Sequence, residues 1–216
     1  MKNKILIVAI SVLAVTAAAI WYFAISSEKS VETRRTNDTT PIDEQAEKPT
    51  SDSRFATLKG DAFDEAYIAD MLAHHEGALN MSEEAMAATA REEIRTLAGN
   101  IVQSQSAELI QMRAWQKDWG YEETMSGGHG NHGGNGTDMG GDMVEMQNKL
   151  QGLTGEAYDR EFLKQMILHH EQAVEMSRYA AANAKHQEIK DLAAAVITAQ
   201  TSEIEQMKQW QKQWGY

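Results

Sequence analysis

MLAHHEGALNMS (residues 71–82) returns as MILHHEQAVEMS (residues 166–177), so four of the 7 His in this 216-residue chain stand in two His-His pairs, each framed by the same two Met. Outward from the pairs, residues 58–121 align with 153–216 at a constant offset of 95 without a gap, and 27 of the 64 positions are identical. In-register identity of that length marks a duplicated unit. The units open with LKGDAFDEAY and LTGEAYDREF and close with QMRAWQKDWGY and QMKQWQKQWGY.

Each unit reads as two helices. Ile94, Leu97, Ile101, Gln105, Glu108, Met112, Trp115 and Trp119 recur at three-and-four spacing, within about 80° on a helical wheel, which makes one packing stripe. Both Pro precede residue 50, so nothing interrupts a helix in either unit. Gly120 and Gly215 stand where a helix stops. Helices are expected over about 62–89 and 92–119, and over 157–184 and 187–214 in the copy. One such hairpin has little core, whereas two bury each other's stripes, and the fold class is all-α, a four-helix bundle of two repeated hairpins.

Composition and charge narrow the function. The net charge of -12 argues against nucleic acid or an anionic membrane surface as a partner and makes cations the natural ones. With no Cys there is neither a disulfide framework nor a thiolate metal site. Ile5 to Ile25 carry no charge, follow Lys2 and Lys4 and end near Trp21 and Tyr22. That length crosses a bilayer as one N-terminal transmembrane helix. A cleaved signal peptide is the alternative, and either places the remainder on the periplasmic or extracellular side. Residues 1–27 are therefore read as anchor or signal and 28–57 as a flexible polar linker. Repeat 1 covers 58–121, a Gly/Met/His-rich linker 122–142 and repeat 2 143–216.

The His pairs sit on the buried side of their helices. Met71, His74, His75, Ala78 and Met81 occupy one arc of about 120°, at 100° per residue, together with Tyr67. Met166, His169, His170 and Met176 repeat that arc. Met at helical spacing is commonly core filler, and a His on such a face is often a hydrogen-bonded core residue. Against that reading, Gly77/Gln172 and Asn80/Glu175 differ between the copies while Met, His, His, Glu and Met are all kept.

Thioether plus imidazole is a soft, neutral ligand set that suits Cu(I) and its mimic Ag(I), not Mg or Ca. Di-iron bundles use inward Glu and Glu-x-x-His pairs, and neither repeat contains Glu-x-x-His. In the second helices, Met112 and Met207 join the candidate ligands. Glu108 and Glu203, four residues earlier, are read either as partners that fix an imidazole tautomer, as ligands, or as bundle-edge carboxylates. Gln105 and Gln200 are expected to satisfy buried partners, the Trp pairs to pack, and His186, opposite Arg91 in the alignment, to lie on the surface. Between the repeats Met125, His129, His132, Met139, Met143 and Met146 are separated mainly by Gly and Asn, a mobile ligand set able to wrap an ion.

These motifs resemble the bacterial family called domain of unknown function 305. The His-His-Glu and Met framing, the QM near the end of each second helix and the Trp-x-x-x-Trp-Gly-Tyr close carry the resemblance over residues 58–216. It implies a ferritin-like four-helix bundle and, through CopM-type copper-binding members, Cu(I) or Ag(I) binding in the cell envelope. Met71, His74, His75, Met81, Met112 and their copies Met166, His169, His170, Met176 and Met207 are the positions to which that role carries over. The expected function is copper sequestration, or transfer to a donor or acceptor protein, in copper homeostasis. No nucleophile, acid-base pair or cofactor loop suggests an enzyme. The alternatives are a non-metal helical interaction module of the envelope and a metal-dependent redox enzyme.

Overall fold

The computed structural model describes residues 52–121 and 139–216, and the expected transmembrane segment lies outside them. Seven helices stand among the described residues: α1 (Asp52–Thr57), α2 (Asp61–Ala88), α3 (Glu92–Trp119), α4 (Met139–Asn148), α5 (Gly155–Ser177), α6 (Ala180–Asn183) and α7 (Gln187–Trp214). None of these is long and apolar enough to cross a membrane.

The duplicated units fold as the hairpins α2–α3 and α5–α7, which meet mainly through α2 against α5. Of the expected α3 stripe Ile94, Leu97, Ile101, Gln105 and Met112 are buried, with Leu109 and Gln116 added at the same spacing, whereas Glu108, Trp115 and Trp119 are half-buried. Burial of this stripe holds α3, since a 28-residue polar helix has little reason to form alone. Both second helices end on a left-handed Gly, Gly120 at φ 72° and Gly215 at φ 74°. Such a φ is costly for any residue with a Cβ.

A reciprocal clasp joins the hairpins. Asp64 of α2 accepts hydrogen bonds from the backbone N–H of Lys185 (3.1 Å) and His186 (2.9 Å) and from His186 Nδ1 (2.7 Å), so it caps the start of α7 in the other repeat. Its copy Asp159 accepts from Thr89 Oγ1 at 2.5 Å and lies 3.8 Å from Arg91. His186 stacks on Trp119 at 3.7 Å, and Arg91 lies 4.0 Å over Trp214. His186 is therefore wedged between repeats, which corrects the expectation of a surface role. The alignment pairs His186 with Arg91, and each is a flat cationic or aromatic group that can cover an indole.

Three expectations about the connections need correction. The polar linker ends before residue 57, because α1 buries Phe55 edge-on against Phe63 and Tyr67. The first helix of the copy breaks at Arg178–Tyr179 instead of running to 184. There Asn183 is held elsewhere: its amide nitrogen donates to the Phe55 carbonyl at 2.8 Å, and its own carbonyl accepts from Gly60 N–H at 2.8 Å. Tertiary bonds outweigh the helical period at that point. Lastly, Met139 and Met143 are not mobile linker residues. With Met146 they recur at four-and-three spacing on α4, all buried, and such a stripe needs only one helical face to pack.

α4 lies on α2 at Gly77. A Cβ at Gly77 would stand 2.7 Å from Met143 Cγ and Sδ and 2.9 Å from its Cβ. This explains why repeat 1 has Gly where repeat 2 has Gln172.

Candidate metal centre

At the middle of the bundle the four paired imidazoles are brought together. His74, His75, His169 and His170 are each 0 % exposed. The His74 and His169 rings, one from each repeat, lie 3.6 Å apart between centroids and 31° from parallel. His75 stands 6.2 Å from His74, and His170 stands 5.7 Å from His169. Helical geometry puts neighbouring residues about 100° apart, so adjacent His can both be buried only where two different partners flank the helix. α2 meets that need, with α5 on one side and α3 on the other.

The hydrogen bonds assign the ring nitrogens. His75 Nε2 donates to Glu108 Oε2 at 2.6 Å, and His170 Nε2 donates to Glu203 Oε2 at 2.6 Å. His169 Nε2 donates to the main-chain carbonyl of His74 at 2.9 Å. A carbonyl oxygen can only accept, so the proton of His169 is on Nε2 and its Nδ1 carries a lone pair. His75 and His170 likewise direct an Nε2–H at a carboxylate oxygen. Among the described residues, Nδ1 of His75, His169 and His170 and both nitrogens of His74 have no hydrogen-bond partner. Glu108 and Glu203, 23 % and 26 % exposed, link the buried rings to the bundle surface.

Protonation of His74 and His169 is disfavoured. Burial, then the neighbouring imidazoles, hold His74 well below the usual histidine range, and burial, then His170, do the same for His169. Neutral rings keep their lone pairs at ordinary pH.

Met71, Met81, Met112, Met166, Met176 and Met207 are all fully buried in the same core. Met139 and Met143 are buried on α4, and Met125, His129 and His132 lie outside the described residues. Of the sequence-derived candidates, the structure thus brings His74 against His169, each beside its paired His, and buries the four framing Met together with Met112 and Met207. Among the described residues no three His, Cys, Asp or Glu side chains form a group that could hold a metal ion, so a site here would draw on thioethers as well as imidazoles. Gln105 and Gln200 fail the expectation of satisfied partners: each is 3 % exposed and its Oε1 is unpartnered among the described residues. Their place three residues before Glu108 and Glu203 was the available signal that they belong to this polar core.

Three of the rings are held in place by a hydrogen bond from Nε2. A ligating His commonly donates its other ring N–H to a carboxylate or backbone carbonyl, which fixes ring and tautomer. Three of the four rings do so here. An imidazole kept only for packing has no need of an unpartnered buried nitrogen, which costs stability.

The chain matches the family described as Domain of unknown function (DUF305) over residues 19–115 and 64–211. The two matches overlap over repeat 1, as a duplicated chain allows. Among solved structures it is similar to CopM in the Cu(I)-bound form, at 30% identity and a TM-score of 0.58, over 70% of this chain and 96% of that one. CopM is also solved in a Cu(II)-bound form and, after soaking, in an Ag-bound form. A DUF305 protein from Streptomyces coelicolor, described as secreted, is 28% identical with a TM-score of 0.58, over 71% of this chain and 94% of that one. A DUF305 fragment from Deinococcus radiodurans is 27% identical with a TM-score of 0.55, over 70% and 96%. No curated protein matches the chain.

Proposed function

The chain belongs to the DUF305 family, and from that premise we propose that it is an exported protein that binds and sequesters Cu(I), with Ag(I) as a mimic, in its paired-His core. The observation that carries this reading is the set of four fully buried imidazoles whose Nδ1 atoms are unpartnered among the described residues while three rings are braced through Nε2. Copper is the cargo, and the chain supplies lone pairs from His74, His75, His169 and His170 with thioethers from the framing Met residues. Neutral soft donors favour a soft monovalent ion over hard divalent ones. The Cu(I)-bound and Ag-bound forms of CopM, a structural relative at 30% identity, support copper and silver as the ions to test.

The role is binding, as a store of the ion or for hand-over to a partner protein, not turnover. Export rests on Ile5 to Ile25, read as an anchor that keeps the bundle on the periplasmic or extracellular side.

The test is a Cu(I) competition titration of the metal-free full-length chain against a chromophoric chelator under reducing conditions. Tight uptake, lost when all four paired His are replaced by Leu in a chain that keeps its helical circular dichroism, is the expected result. Equal uptake by that variant would remove the core from the copper site. No uptake by the native chain would leave the His cluster as packing.

A further inference from the structure

The two His pairs are copies in sequence but differ in what holds them. In repeat 2 both rings are braced, His170 on Glu203 at 2.6 Å and His169 on the His74 carbonyl at 2.9 Å. In repeat 1 only His75 is braced, on Glu108 at 2.6 Å. The carbonyl that holds His169 belongs to His74, yet among the described residues neither ring nitrogen of His74 has a partner in return. The likeness of the repeats is therefore broken at the centre of the core.

Ring geometry limits how the four imidazoles can share ions. The lone pair of an acceptor imidazole nitrogen lies in the plane of its ring. The His74 and His169 rings overlap face on, 3.6 Å apart between centroids and 31° from parallel, so their lone pairs run alongside each other and do not converge on an ion between them. Within a repeat the rings stand farther apart, 6.2 Å in repeat 1 and 5.7 Å in repeat 2, and are tilted by 50° and 56°. Metal–imidazole bonds are about 2 Å long. The spacing within a pair leaves room for one ion.

We propose that the repeats bind one Cu(I) each in a fixed order: repeat 2 fills first and keeps its ion, and repeat 1 holds a second, weaker ion that is the one handed on. This rests on the copper reading above and assigns storage and hand-over to different repeats. Filling one nitrogen removes one open buried atom in either repeat, so that relief is the same in both. Bracing is what differs. A hydrogen bond from the other ring nitrogen fixes ring and tautomer and raises ligand basicity, and its loss costs about 10–100-fold in metal affinity. His74 lacks that bond. The second ion also enters near a charge already present, across two buried rings in contact, where like charges repel more strongly than in water. Both effects weaken the ion of repeat 1.

Stepwise addition of Ag(I), which is diamagnetic, to the metal-free full-length chain with isotope-labelled His tests the order by nuclear magnetic resonance. The ring-nitrogen signals of His169 and His170 should shift with the first ion to enter the core, and those of His74 and His75 with the second. Chelator competition should then separate the two core Cu(I) ions by about 10-fold or more in affinity. His74→Leu with His75→Leu should remove the weaker ion. His169→Leu with His170→Leu should remove the tighter one, and the ion left in repeat 1 should bind severalfold tighter than the second core ion of the native chain, because the first charge is gone. Simultaneous shifts of all four rings, two core ions of equal affinity, one core ion per chain, or a first ion in repeat 1 would overturn the order while copper binding itself stands. No uptake of either ion by the native core would overturn both.

Discussion

Replacing His74 by Leu should make the metal-free protein more stable. His74 is fully buried and neither of its ring nitrogens has a partner among the described residues. Each open buried polar atom costs about 1–3 kcal/mol, whereas an apolar side chain of similar size carries no such cost. His169 keeps its hydrogen bond in the variant, because its acceptor is the main-chain carbonyl of residue 74. Against the gain stands a shape mismatch of up to about 1.5 kcal/mol for a branched aliphatic in place of a flat ring. The balance is a stabilisation of about 2 kcal/mol, which for a chain of this size raises the melting temperature by roughly 4–8 °C. Thermal unfolding of the chelator-treated full-length chain, followed by circular dichroism above pH 7, reads this directly. His74→Ala provides the contrast: it also removes the nitrogens but opens a cavity, and should destabilise. If His74→Leu lowers the melting temperature by several degrees, the imidazole has partners in solution and is a structural group. The inference that the core holds open ligand positions would then be wrong.

Stability of the metal-free protein should also fall in acid. His74 and His169 have folded-state pKa values depressed by burial, so below the ordinary histidine value of about 6.5 the unfolded chain takes up protons that the folded chain refuses. Stability is therefore full above that pH and is lost as pH falls, by up to about 1.4 kcal/mol per pH unit for each ring, in urea titrations between pH 7.5 and 5. Bound copper should flatten this dependence. Glu108→Ala should weaken Cu(I) binding by about 10–100-fold, as loss of a bracing partner does, and Glu108→Gln by less, because its amide oxygen still accepts from His75 Nε2. Competition titration distinguishes the two. Gly77→Ala places a Cβ 2.7 Å from Met143, an overpacking cost of about 1–3 kcal/mol set against about 1 kcal/mol of improved helix propensity. Hydrogen exchange should speed up across α4 and stay unchanged in α3 and α7.

The sequence by itself determined the long helices α2, α3 and α7, the hairpins and the duplication, because these follow from short-range rules. Three-and-four spacing defines the stripe from Ile94 to Met112, and Gly120 and Gly215 end their helices through a backbone conformation that belongs to Gly. The burial of both His pairs was legible for the same reason, since an arc on a helical wheel needs only the residues' own numbers. What lies across from that arc does not follow from those numbers. The contact of His74 with His169 depends on how α2 crosses α5, and the bonds of His75 to Glu108 and His170 to Glu203 depend on the rotation of each helix about its axis within its hairpin. A periodic pattern fixes which face turns inward but leaves the crossing, the axial shift and the side-chain torsions to packing. The α4 stripe shows the limit from the other side: Met139, Met143 and Met146 carry helical spacing, yet their Gly-rich surroundings read as linker until Gly77 on α2 supplies the flat surface they need. His186 is the same case, for only the assembled bundle brings Trp119 and Asp64 of the other repeat to it. Tertiary structure decided these points because each rests on residues far apart in the chain, whose approach is set by the packing of whole helices and by no local preference.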